Sequence, residues 1–150
     1  MAGSLKNAAE TLLLAHLFNN DDWANVGDAA GLQNSAAAGN LYIALFTAAP
    51  SDSAQGTECN YTGYARKAVA RSSAAWTVSG NNASNTAAVT FDPCTAGTNQ
   101  AIAFAICYAD TAGVDDQIVW GDITTPAAGL AISTGITPNF AIGVLDVNLD

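Results

Sequence analysis

From Leu41 onward the sequence is a train of short β-forming runs cut by breakers, and this pattern constrains the fold more than any other feature. The runs span residues 41–47 (LYIALFT), 64–71, 75–79, 87–91, 101–108, 117–123, 130–134 and 140–149. Between them stand Gly56, Gly63, Gly80-Asn81-Asn82, Asp92-Pro93, Gly97, Gly113, Pro126, Gly129 and Thr137-Pro138. Such residues punctuate a chain because they accept positive φ or withhold a backbone donor. About eight short strands at near-regular spacing predict a mainly β chain, an antiparallel, jelly-roll-like β-sandwich. One helical stretch followed by strands excludes a doubly wound α/β fold, which needs helices alternating with strands. In the last run Ile142, Val144 and Leu149 alternate with polar residues, with one register shift expected between Val144 and Leu149.

Ahead of the strands, Ser4 is placed to cap an α-helix over Leu5–Phe18, with Asn19-Asn20-Asp21-Asp22 as its stop. On a helical wheel Leu5 and Leu12 share one side, Leu13 and Leu17 another, and Leu14 and Phe18 a third. A helix apolar all round is covered on all sides. One side packs on its own domain, so the others await either the segment 20–40 folded back or a neighbouring subunit. Leu5, Leu12, Leu13, Leu14, Leu17 and Phe18 are therefore the candidate interface, joined by Trp23 as an anchor in the irregular segment 21–40. The expected organisation is a helix and extended arm over 1–40 and a sandwich over 41–150 folding as one unit. Glu10 and His16 interrupt the apolar stretch, which fits neither a signal peptide nor a membrane span, so a soluble product folded in the cytoplasm is expected, with no membrane partner.

The 150 residues are enough for one domain with a core of its own. Only 11% are charged, against about 25% in typical domains, so the surface must be made largely of Ser, Thr, Asn, Gly and Ala. A net charge of −9 argues against nucleic acid, because phosphate contacts need clustered cations. Arg66, Lys67 and Arg71 do cluster, and are expected on a solvated or subunit-facing strand. Cys59, Cys94 and Cys107 form no CxxC pattern, so buried free thiols are expected, with one disulfide and a leftover thiol as the alternative.

Reactive groups are few. A nucleophile–histidine–acid triad would have to use His16, the one histidine, inside the apolar helix, and no G-x-S-x-G elbow occurs. The acids Asp21, Asp22 and Asp28 lack the alternating order of a calcium loop and read as turn acids. Asp115-Asp116 are adjacent, so they point apart and face water. Asp110 and Asp122, which could meet across a hairpin, are the best enzymatic pair available. Trp76, Trp120, Tyr61 and Tyr64 either fill the core or line a carbohydrate platform. The expectation is a non-enzymatic building block with no catalytic residue, cofactor or metal.

Several segments in fixed order carry a resemblance: LYIALFTAAPSDSAQGTE from Leu41, GYARKAV from Gly63, SNTAAVTF from Ser84, IVWGDIT from Ile118 and ITPNFAIGVLDVNLD at the end. Together they resemble a family of small tailed-bacteriophage virion structural proteins, over nearly the whole chain from Leu5 to Asp150. Members are labelled tail-fibre or minor structural proteins, and similar small sandwiches serve as capsid decoration, or cement, proteins. The resemblance implies a place in the virion, on the capsid surface, and a homotrimer that binds the major capsid protein and stabilises the head. The alternative is a tail-fibre or baseplate component involved in host-surface glycan recognition. The segment 21–40 and the three cysteines depart from the family pattern.

Overall fold

The computed structural model describes residues 5–113 and 116–149. Among these, twelve strands follow one helix: α1 (Asn7–Leu14), then β1 (Asn40–Ala48), β2 (Thr57–Glu58), β3 (Lys67–Ala70), β4 (Trp76–Ser79), β5 (Asn82–Asn85), β6 (Val89–Thr90), β7 (Asn99–Ala101), β8 (Ala103–Cys107), β9 (Gln117–Asp122), β10 (Leu130–Ile132), β11 (Asn139–Phe140) and β12 (Asp146–Asn148). The pairings in register are antiparallel. The chain is thus mainly β behind one N-terminal helix, the class read from the sequence and one consistent with a β-sandwich. It divides into two compact units. One gathers the residues up to Asn40, Ala70–Ala88 and those from Ala141 onward; the other holds Leu41–Val69 and Val89–Phe140.

In the first unit α1 runs into a π-helical turn, Ala15–Asn19, and stops at Asn20, whose φ of 63° is left-handed. Asn tolerates that conformation better than most residues, so the expected stop is where the helix ends. Lys6, extended and without a side-chain cap, occupies the N-cap position; the Ser4 cap lies outside the described residues. Leu14 and Phe18 are buried, and Phe18 meets the fully buried Trp76 edge to face at a centroid distance of 4.8 Å. Beside them β12, β5 and β4 form a three-stranded sheet in that order. Residues 82–85, of which the sequence marked only Asn82, as part of a turn, are its central strand. Asn and Ser are weak β-formers, but here the backbone is paired on both sides.

The second unit is built on a sheet ordered β2-β1-β8-β9, with β3 also paired to β1. β8 is buried along its whole length. On one face Ala44 and Phe46 lie beside Ala103, Ala105 and Cys107; on the other Ile43 pairs with Ile106 and Leu45 with Phe104. An aromatic series extends from the second face: Phe104 to Phe140 at 5.6 Å, Phe140 to Phe91 at 6.3 Å, and Phe91 stacked on Tyr64 at 6.2 Å. Two expected strands prove to be pairs. The run 101–108 breaks at Ile102, because Ala101 pairs with β10 while Ala103 pairs with β1 and β9. The run 140–149 breaks at a turn where Gly143, at φ 72°, donates its N–H to Asn85 O. That turn replaces the expected register shift.

Candidate functional site

The residues singled out at the N-terminus separate by exposure. Leu14 and Phe18 are each 1% exposed and belong to the core of their own unit. Leu5 and Leu12 are 47% and 40% exposed, while Leu13, Leu17 and Trp23 are half-buried. The helix is therefore covered on one side and open on another. Its C-terminal end is clamped from within: Arg71 donates from Nε to Leu17 O and from Nη2 to His16 O, both at 2.6 Å. These are charge-assisted bonds to helix-end carbonyls, where a cation also complements the dipole. The following segment is held by its own side chains. Trp23 and Leu32 exchange backbone bonds of 2.9 Å, Asp28 Oδ1 accepts from Ala30 and Gly31, and Asp22 Oδ1 accepts from Asn34. Asp22 and Asp28 act as turn acids, as their spacing suggested.

Arg66, expected with Lys67 and Arg71 on a solvated or subunit-facing strand, is instead drawn inside the fold. Arg66 is 8% exposed and forks to two carboxylates, with Nη2 to Glu58 Oε2 at 2.9 Å and Nη1 to Asp116 Oδ2 at 2.5 Å. Asp116, expected to face water, is 2% exposed, its Oδ2 accepting from Arg66 and from the Gly113 N–H; Asp115 lies outside the described residues. Tyr64 donates from its hydroxyl to Glu58 Oε1 at 2.6 Å. Burial alone would lower the Arg66 pKa, yet the hydrogen bonds it donates to Glu58 and Asp116 hold it above its ordinary value. Burial, reinforced by the Glu58 bond, pushes the Tyr64 hydroxyl up. Lys67 pairs with Asp92 at 2.9 Å in a more exposed position. All three cysteines are buried free thiols, as expected. Burial pushes Cys59 and Cys107 up to about 12, so neither is a thiolate at neutral pH.

The acid pair proposed for catalysis is not assembled. Asp122 lies opposite Ala103 while the β8–β9 hairpin closes beyond Cys107, so Asp110 is at the other end, more than ~13 Å of strand away. Among the described residues no three histidine, cysteine or acidic side chains converge as metal ligands, and no helix is long and apolar enough to cross a membrane.

The aromatics also separate. Trp76 and Tyr61 are core, and Tyr64 is half-buried; Trp120, expected among the core residues, is 39% exposed. It projects from β9, the end strand of its sheet, on the same side as Ile118, and lines a depression of about 350 Å³. Ser51, Asp52 and Gln55 border it from the turn after β1, and Gln117 from β9. The turn is closed by the Ser51–Ala54 pair of backbone bonds. It returns to the sheet through Gly56, at φ 73°, where a Cβ would lie 2.5 Å from Ala48 O, so only glycine fits. The sequence marked Trp120 as a candidate but gave no sign that residues 51–55 and 117 would surround it, since they meet only through the tertiary fold.

Residues 4–148 match the family described as podophage GP4 fiber I protein gp80. No curated protein matches the chain.

Proposed function

Because the chain belongs to the podophage fiber I family, and is in that sense a phage virion structural protein, we propose that it is a building block of a virion fibre and assembles with copies of itself through the open side of α1. The family supports the fibre role that the sequence offered as its alternative over decoration of the capsid shell. The observation that carries the assembly is the exposure of Leu12 on α1 and of Leu5 just ahead of it, while Leu14 and Phe18 are already covered. A repeat unit with a net charge of −9 repels its own copies, so contacts between them must come from apolar surface and not from complementary charge. Burying the part of each leucine still exposed contributes about 0.7–1.5 kcal/mol, half the value for full burial, and a homotrimer buries several at once.

Light scattering on the purified protein tests this. The wild type should run as an oligomer and Leu12→Asp as a folded monomer with an unchanged circular dichroism spectrum, Leu12 lying outside the core. Antibody labelling of virions should fall on a fibre. A wild type that stays monomeric at high concentration, or labelling that follows the capsid lattice, would overturn the proposal.

A further inference from the structure

The Trp120 depression is independent of the helix, and its side chains have a chemistry of their own. Trp120 and Ile118 stand two residues apart on β9, so both side chains leave the same face, each more than a third exposed. The residue opposite Trp120 is the small, buried Ala105. Around this apolar floor the polar groups are amides and hydroxyls: Ser51, Gln55 and Gln117, with the Asp52 carboxylate at the edge. Gln117 donates from Nε2 to Gln55 O at 3.0 Å, which fixes the two glutamines relative to one another. Gln55 Nε2 is buried with no hydrogen-bond partner among the described residues, a donor that burial leaves costly to keep idle.

We propose that this depression binds a neutral pyranose saccharide. A sugar ring has an apolar C–H face and a rim of hydroxyls, each both donor and acceptor. An exposed indole offers a flat apolar surface to the first, and amides and a carboxylate offer matched partners to the second. The volume lies toward the lower end of the range for small-ligand sites and suits a short glycan segment lying across an open surface. Charge selects among sugars. Among the described residues Asp52 is the one ionisable side chain on the lining, and the chain carries −9 overall, so uronates, sialates and phosphorylated sugars are repelled.

The probe is a printed array of neutral and anionic pyranose oligosaccharides, read with the full chain and followed in solution by tryptophan fluorescence on the neutral sugars it retains. Wild type should bind neutral members in preference to anionic ones, and the signal should saturate. Trp120→Ala should weaken binding at least about tenfold, since losing an aromatic platform removes more than one contact, and Asp52→Asn should weaken it less while relaxing the exclusion of anionic sugars. Trp23→Phe should leave affinity unchanged. All three variants should melt within a few degrees of wild type, because none of these positions is fully buried. No retained neutral sugar, equal binding by Trp120→Ala, or an oligomer that falls apart in Trp120→Ala while sugar binding persists would each overturn the proposal. The last would show a protein contact instead.

Discussion

Arg66 answers two acids at once, the buried Asp116 and the half-buried Glu58. A buried ion cluster is weak ground for claiming net stability, but removing one partner leaves the others charged and dry. Arg66→Met should therefore lower the unfolding free energy by about 3–5 kcal/mol in a urea titration. Adding Glu58→Gln and Asp116→Asn to that variant should recover part of the loss, since the stranded charges go with them. The thiols give a second prediction. In the folded protein Cys59 and Cys107 hold their protons up to about 12, whereas an unfolded chain begins to lose them near 9.0. A folded pKa that is raised means stability complete below the unfolded value and lost as pH climbs toward the folded one. Tyr61, pushed up to about 12 by burial, acts in the same direction. Melting temperatures should hold through neutral pH and fall between about 9 and 12, and Cys107→Ala should shallow that fall. Few of these residue-scale facts were legible beforehand. Glu58, Arg66 and Asp116 carry no local pattern that joins them; only the return of the β8–β9 connection brings the third to the first two.

Among the elements, α1 and β5 show where sequence patterns speak and where they stop. The periodicity of α1 was clear, as was its stop, yet its all-round apolar character did not reveal that Leu14 and Phe18 would be buried, Phe18 against Trp76, while Leu5 and Leu12 stayed open. Phe18→Ala should cost about 3–5 kcal/mol, read by thermal or urea unfolding, whereas Leu12→Ala should be nearly silent in the isolated chain. β5 went unseen because Asn and Ser are favoured in turns, and it exists because two neighbours pair with it. Its last residue also works as a latch. Asn85 is buried, donating from Nδ2 to Ala87 O and Ala141 O and accepting from Leu145 N. Asn85→Ala leaves these groups unanswered and should destabilise by at least about 2 kcal/mol. Hydrogen exchange should accelerate first at Leu145. Strands such as β1, β4 and β9 were legible almost to the residue, because β-branched and aromatic runs ended by glycine, asparagine or proline leave little choice.

At the scale of the whole molecule, the low count of cations follows from how they are used. Arg66, Lys67 and Arg71 are each committed to a partner within the fold, which leaves a surface dominated by acids. The self-association proposed through α1 would proceed against like charge, so raising salt from about 0.05 to 0.5 M should tighten it, as sedimentation equilibrium would register. Weakening with salt would point to ion pairs between copies. The path of the chain carries a consequence for synthesis. The first compact unit draws on three stretches far apart in sequence, and the last supplies β12 as well as Leu145 and Val147 to its interior. On the ribosome, the helix and the β4–β5 hairpin emerge early and wait with one flank bare until that final stretch clears the exit tunnel. Nascent chains halted before Ala141 should thus be the ones that chaperones hold and proteases cut.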